Sequence, residues 1–121
     1  LQSYERLTLF LERITPSSLL IRISSKNLTV KEYQGLLLKA IRDEFEYNLS
    51  QQIYVSEEAW RLVVTAKSAT VSIVNKHASR LDPSEPGVEL SKKILEGSME
   101  MNTFPTRLAI NYLKQEIAKE F

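Results

Sequence analysis

Between Ser56 and Leu81 the chain reads SEEAWRLVVTAKSATVSIVNKHASRL. Trp60, Val64, Lys67, Val71, Val74, Ala78 and Leu81 recur there in alternating steps of four and three, the spacing of one helical face. Lys67 is the polar member of that seam, and its alkyl stem can lie on apolar surface with the ammonium in water. Ala59, Val63, Ala66, Ile73 and His77 form a flanking row, so the apolar arc is wide. A helix apolar over so much of its girth meets several neighbours, as a central bundle helix does. At 1.5 Å per residue it would run about 40 Å. The segment LVVTAKSATVSIV is rich in β-branched residues, which favour strands. The heptad seam continues on both sides of it while strict alternation fails at Val63-Val64, so helix is the reading.

The flanking pattern is also helical. Tyr4, Leu7, Phe10, Leu11 and Ile14 make one stripe over residues 2–14, with Glu5, Arg6, Glu12 and Arg13 off it and Leu9 partly outside, facing whatever lies upstream. Pro16 forces Thr15 out of the α region, so the helix stops near Ile14 and Thr15 caps a new turn. Residues 19–24, LLIRIS, fit a short helix or a short extended piece, and helix is preferred. Thr29 with Glu32 three residues on forms a capping-box pattern. The helix it opens carries Tyr33, Leu37, Ile41, Phe45 and Leu49, widened by Leu36, Leu38 and Ala40. Gly35 inside it suggests a close helix crossing. Residues 48–52 end this helix, and 53–55 read as a β-prone connector, helical or extended. Ser56 caps the central helix with Glu57 and Glu58 on its positive end. DPSEPG (82–87) is a loop. Val88 to Met101 follows as a helix with Leu90, Ile94, Leu95, Ser98 and Met101 inward. Asn102 and Thr103 cap the last helix, whose apolar side is Leu108, Ala109, Tyr112, Leu113, Ile117 and Phe121.

The expected fold is all-α: a compact bundle of about five helices around a long central helix (57–81), in one domain over 1–121. Three glycines and four prolines agree with long helices rather than a turn-rich sandwich. Hydrophobic and charged fractions of 43% and 26% are those of an ordinary globular protein. Sixteen basic and fifteen acidic residues, spread almost evenly over both halves, make no field that would draw nucleic acid. No apolar run reaches the ~20 residues of a membrane span. The chain opens at Leu1 instead of a methionine, as expected of a processed chain or a piece of a longer protein.

Candidate chemistry is sparse. The absence of cysteine excludes thiolate catalysis, zinc–thiolate sites and disulfides. His77 is the single histidine and has no partner at metal-ligand spacing, so a structural role is favoured. No Gly-x-Ser-x-Gly elbow and no glycine-rich phosphate loop occurs. No cofactor is expected. Asp43, Glu44 and Glu46 suggest paired carboxylates, but on a helix they read as a solvated face beside Arg42. Tyr47, Tyr54 and Trp60 flank one helix junction, and aromatics of this kind are enriched in binding hot spots. Trp60 lies on the central seam and reads as core. Tyr47, Tyr54, Glu44 and Glu46 remain as a possible partner surface.

The opening LQSYERLTLFLERITP and the middle EFEYNLSQQIYVSEEAW together resemble an uncharacterised family of Bacteroidetes proteins. In that family a comparable Tyr-Glu-Arg-Leu-x-Leu-Phe-Leu-Glu-Arg start follows a single N-terminal membrane helix. The similarity continues through LSKKIL and the helix after it. It implies a soluble helical domain tethered near a membrane, on the cytoplasmic side of the inner membrane, through a segment this chain does not contain. It assigns no catalytic or ligand residue. The expected function is therefore a non-enzymatic interaction or scaffold domain, with an unknown protein partner or a second copy of itself. The alternative is a small-ligand binder or enzyme with an inter-helical pocket. A deep polar pocket would favour the alternative, and a grooved apolar surface the interaction domain.

Overall fold

The computed structural model describes residues 1–120, apart from the Glu120 side chain; the expected contact of Phe121 lies outside the described residues. Six α-helices follow one another: α1 (Gln2–Ile14), α2 (Pro16–Arg22), α3 (Val30–Tyr47), α4 (Glu57–Ser79), α5 (Gly87–Glu100) and α6 (Pro105–Glu120). A 3-10 helix, Leu49–Tyr54, joins α3 to α4. No strand occurs among the described residues, so the fold is all-α as expected. The additional helix beyond the five is α2, from the segment that fitted helix or extended chain. The connector at 53–55 is not extended throughout: Ile53 and Tyr54 complete the 3-10 turn, and only Val55 is extended.

Local chemistry sets most boundaries. The Thr29 hydroxyl accepts from the Glu32 amide while the Glu32 carboxylate accepts from the Thr29 amide, closing the capping box. Ser56 Oγ accepts from the Ala59 amide at 3.0 Å and opens α4. Thr15 stands at the N-cap position of α2, yet its hydroxyl makes no cap bond there. It donates back to the Leu11 carbonyl at 2.8 Å and bonds the Thr106 hydroxyl at 2.6 Å, tying α1 to α6. The last helix begins at Pro105, which puts Phe104, not Asn102 or Thr103, immediately before it. Its amides at Arg107 and Leu108 bond the Phe104 carbonyl.

Helix α4 is the centre and packs against α1, α3, α5 and α6. Its deepest face is rotated from the seam of the sequence pattern. Ala59, Val63, Ala66, Thr70, Val74 and Ala78 are buried, while Trp60, Val64, Lys67, Val71 and Leu81 are half-buried. Small side chains explain the rotation: alanines at 59, 66 and 78 let neighbouring helices approach the α4 backbone, and the larger residues fill the flanks. Thr70 joins this face because its hydroxyl donates to the Ala66 carbonyl at 2.8 Å, which removes the cost of burying it.

Further departures arise where a neighbour is missing. Leu36, Leu49, Leu95, Met101 and Leu108 are exposed, whereas Ile110 and Thr106 are fully buried in α6. The loop after α4 lies on the start of α3: the Val30 amide bonds the Glu85 carbonyl and the Gly87 amide the Leu28 carbonyl. A Cβ at Gly87 would stand 3.1 Å from both the Leu28 carbonyl oxygen and the Tyr33 Cβ, so this close approach is where glycine matters. No helix crosses at Gly35, which is exposed and has open space around it. Gly35→Ala should therefore stabilise the protein by about 0.5–1 kcal/mol, through helix propensity and a less disordered unfolded chain. A urea midpoint that stays put or falls would show a constraint at Gly35 that open space does not predict.

Candidate functional site

A half-open, largely apolar groove of about 390 Å³ lies between α1 and α3. Arg6, Leu9, Phe10 and Arg13 line it from α1, at the i, i+3, i+4, i+7 spacing of one helical face. Asp43, Glu44, Tyr47 and Asn48 line it from the end of α3. Leu9 is 59% exposed and Tyr47 75%, so two large apolar surfaces stand in solvent at its rim. The Arg6 guanidinium lies over the Tyr47 ring, 5.2 Å from its centroid.

Glu44 is a clamp. Its Oε1 accepts from Arg13 Nε at 2.5 Å and faces Arg22 Nη1 at 3.6 Å, joining α1, α2 and α3. The Arg22 Nη2 also donates to the Arg13 carbonyl at 2.9 Å. Glu44 Oε2 and Arg22 Nε are shielded and unpaired with other protein atoms, so desolvation offsets much of what the clamp contributes. Asp43 turns outward to Lys39 at 2.5 Å, and that bond, with Arg42 nearby, holds its carboxyl below the usual range. The acidic cluster is therefore divided: Glu44 is half-buried and paired across helices, while Asp43 and Glu46 are on the solvated side.

Of the four expected surface residues, the groove brings Glu44 and Tyr47 together. Tyr54 is exposed on the 3-10 turn, and Glu46 is exposed on α3; neither lines the groove. Sequence reasoning missed Arg6 and Arg13 as lining residues, because a polar residue beside the core stripe reads as solvated. Leu9, apolar yet off the stripe, was the available signal.

A second polar constellation ties α1, α4 and α6 together. The Glu116 carboxylate accepts from the Tyr4 hydroxyl and from Ser56 Oγ at 2.7 and 3.0 Å, with the Tyr112 hydroxyl nearby. Burial pushes Glu116 up, but the three hydroxyls outweigh it and hold the carboxyl below its ordinary value. Tyr4 is raised by burial and by that carboxylate, as is Tyr112. An ionised acid surrounded by protonated phenols acts as a hydrogen-bonded brace, with no group poised to take up a proton near neutrality.

His77 lines a second concavity with Arg80, Leu81, Lys93, Glu96, Gly97 and Glu100. A Cβ at Gly97 would come within 2.6 Å of His77 Nε2, so the imidazole occupies the space that glycine leaves. Burial lowers the His77 pKa, assisted by Lys76 of α4, Arg80 just past its end and Lys93 of α5, against Glu100. With its folded value below the unfolded one, the unfolded state takes up the proton first as pH falls. Stability should thus be full above about pH 6.5, decline through the window below it, and level off under the folded pKa. His77→Gln should remove that slope from thermal midpoints measured between pH 5 and 7, and an unchanged slope would assign it elsewhere. Among the described residues no group of three or more His, Asp or Glu is arranged to hold a metal ion.

Residues 1–120 match the family of unknown function DUF7935. The chain belongs to that family. The coarse expectation of an uncharacterised family is thereby met. No curated protein and no solved structure matches the chain. No helix among the described residues is long and apolar enough to cross a membrane.

Proposed function

We propose that this domain is a non-enzymatic interaction module that receives a protein partner in the α1–α3 groove. The observation that carries the reading is the groove itself: it is largely apolar, and Leu9 and Tyr47 stand exposed at its rim. Exposed aromatic and aliphatic side chains grouped at a concavity are the usual anchors of a protein interface. The carboxylates nearby are already engaged, Glu44 with Arg13 and Asp43 with Lys39, which supports binding over acid–base work.

The test places a photo-crosslinking side chain at position 9 or 47 of the full-length protein in its own cells. Discrete adducts from both positions, absent when the probe sits at exposed Ser72 on α4, are the expected result. Adducts at the size of a dimer would make the partner a second copy. Equal labelling from Ser72, or none from the groove, would end the reading. We further propose a tether to the cytoplasmic side of the inner membrane, in a Bacteroidetes protein, on the strength of the resemblance of LQSYERLTLFLERITP. Fractionation of the full-length protein into the soluble pool would overturn it.

A further inference from the structure

Helices α3 and α4 are capped in different ways. At α3 one short stretch supplies both halves of the cap: the Thr29 hydroxyl accepts from the Glu32 amide, and the Glu32 carboxylate accepts from the Thr29 amide. At α4 the third position after the cap is Ala59, whose side chain has no acceptor to return. The second half comes from other helices. The Ser56 amide donates to the Tyr4 hydroxyl of α1 at 3.4 Å. The Ser56 hydroxyl donates to both carboxylate oxygens of Glu116 on α6, at 2.7 and 3.0 Å, across a sequence separation of 60. Tyr4 donates to the same carboxylate.

A hydroxyl has one proton to give and lone pairs to accept with. With the Ser56 proton held by Glu116, a lone pair is turned to the Ala59 amide, which bonds Ser56 Oγ at 3.0 Å. The Tyr4 hydroxyl plays the same double part, giving its proton to Glu116 and accepting from the Ser56 amide. Both side-chain acceptors at the start of α4 are thus oriented by one carboxylate. That carboxylate also stands at the N-terminal end of a 23-residue helix, where the partial positive charge of the backbone favours an anion. Without Glu116 both hydroxyls are free to rotate, so the cap weakens although Ser56 is unchanged. Without the Ser56 hydroxyl, Glu116 loses two of the hydrogen bonds that seat α6. The coupling therefore runs in both directions.

We propose that Glu116 is a latch that closes the cap of α4 in trans, so that the first turn of α4 and the α6 turn around Glu116 open and close as one unit, short of global unfolding.

Residue-resolved amide hydrogen exchange on the full chain tests this. In Glu116→Ala the Ala59 amide should lose protection about fivefold, the order expected for losing one helix cap. The Glu32 amide, in the self-contained cap of α3, should exchange as in wild type. Glu116→Gln keeps an acceptor oxygen without the charge and should fall between the two. Ser56→Ala should act in the reverse direction, lowering the protection of the Glu116 and Ile117 amides by a similar factor. Equal loss at Ala59 and Glu32 in Glu116→Ala would reduce the effect to global stability and overturn the latch. Full protection of Ala59 would overturn it as well, because Ser56 would then cap α4 unaided. So would a Ser56→Ala chain whose α6 amides exchange as in wild type. If Glu116→Ala does not fold, Glu116→Gln and Ser56→Ala decide by the same criteria.

Discussion

Tyr33→Ala is expected to cost about 4 kcal/mol, within the range for deleting a fully buried aromatic ring. Tyr33 is fully buried near the start of α3. Its Cβ stands close to Gly87 at the start of α5, and its hydroxyl donates to the Ile23 carbonyl at 2.7 Å just past α2. The ring and hydroxyl therefore tie α3 to the end of α2, and truncation leaves both a cavity and an unpaired carbonyl. A domain of this size has a net stability of roughly 5–15 kcal/mol, so the variant should be close to unfolding at physiological temperature. Urea denaturation should show the loss as a lower midpoint with an unchanged slope. Tyr33→Phe separates the two contributions: it keeps the ring and should lose only about 1 kcal/mol for the hydrogen bond. A loss below about 1 kcal/mol for the alanine variant would mean that α2 is held on α3 by something other than this ring.

Trp60→Ala should cost about 2–3 kcal/mol, less than a fully buried tryptophan would. The indole is half-buried, so part of its surface stays in water in both variants. What it loses is specific. The indole stacks on Phe45 with centroids 5.6 Å apart and planes at 25°, and Phe45 meets Phe10 at 6.0 Å. The ammonium of Lys67, two turns further along the same seam of α4, sits 4.7 Å over the Phe45 ring. This aromatic line links α4 through α3 to α1 and ends on a residue that lines the groove. Each aromatic pair adds about 0.5–1.5 kcal/mol beyond area burial. A double-mutant cycle of Trp60→Ala with Phe45→Leu should therefore show a coupling of about 0.5–1.5 kcal/mol. A near-zero coupling, or a Trp60→Ala loss under about 0.5 kcal/mol, would place the indole outside the packing of the bundle.

The sequence alone determined what depends on near neighbours in the chain. Thr29 and Glu32 meet because Glu32 lies three positions after Thr29, Pro16 ends α1 because its ring restricts Thr15, and the two prolines keep residues 82–86 out of helix, with Gly87 already the first residue of α5. The 3.6-residue period likewise carried the β-branched stretch of α4 as a helix, since one continuous face could be buried only that way. Which face of that helix lies deepest, however, depended on which helices come close. Only the assembled bundle could show that Ala59 and Ala66 mark the tight contacts and Trp60 the flank. The same holds for the exposure of Leu108 beside buried Ile110, and for the open space at Gly35. The groove is the furthest case. Tyr47 and Glu44 were visible as surface candidates, but Glu44 finds Arg13 at a sequence separation of 31, and Arg6 reaches Tyr47 only because α1 and α3 lie side by side. Charge pairing across that distance follows from packing, and the pattern along either helix contains no trace of it.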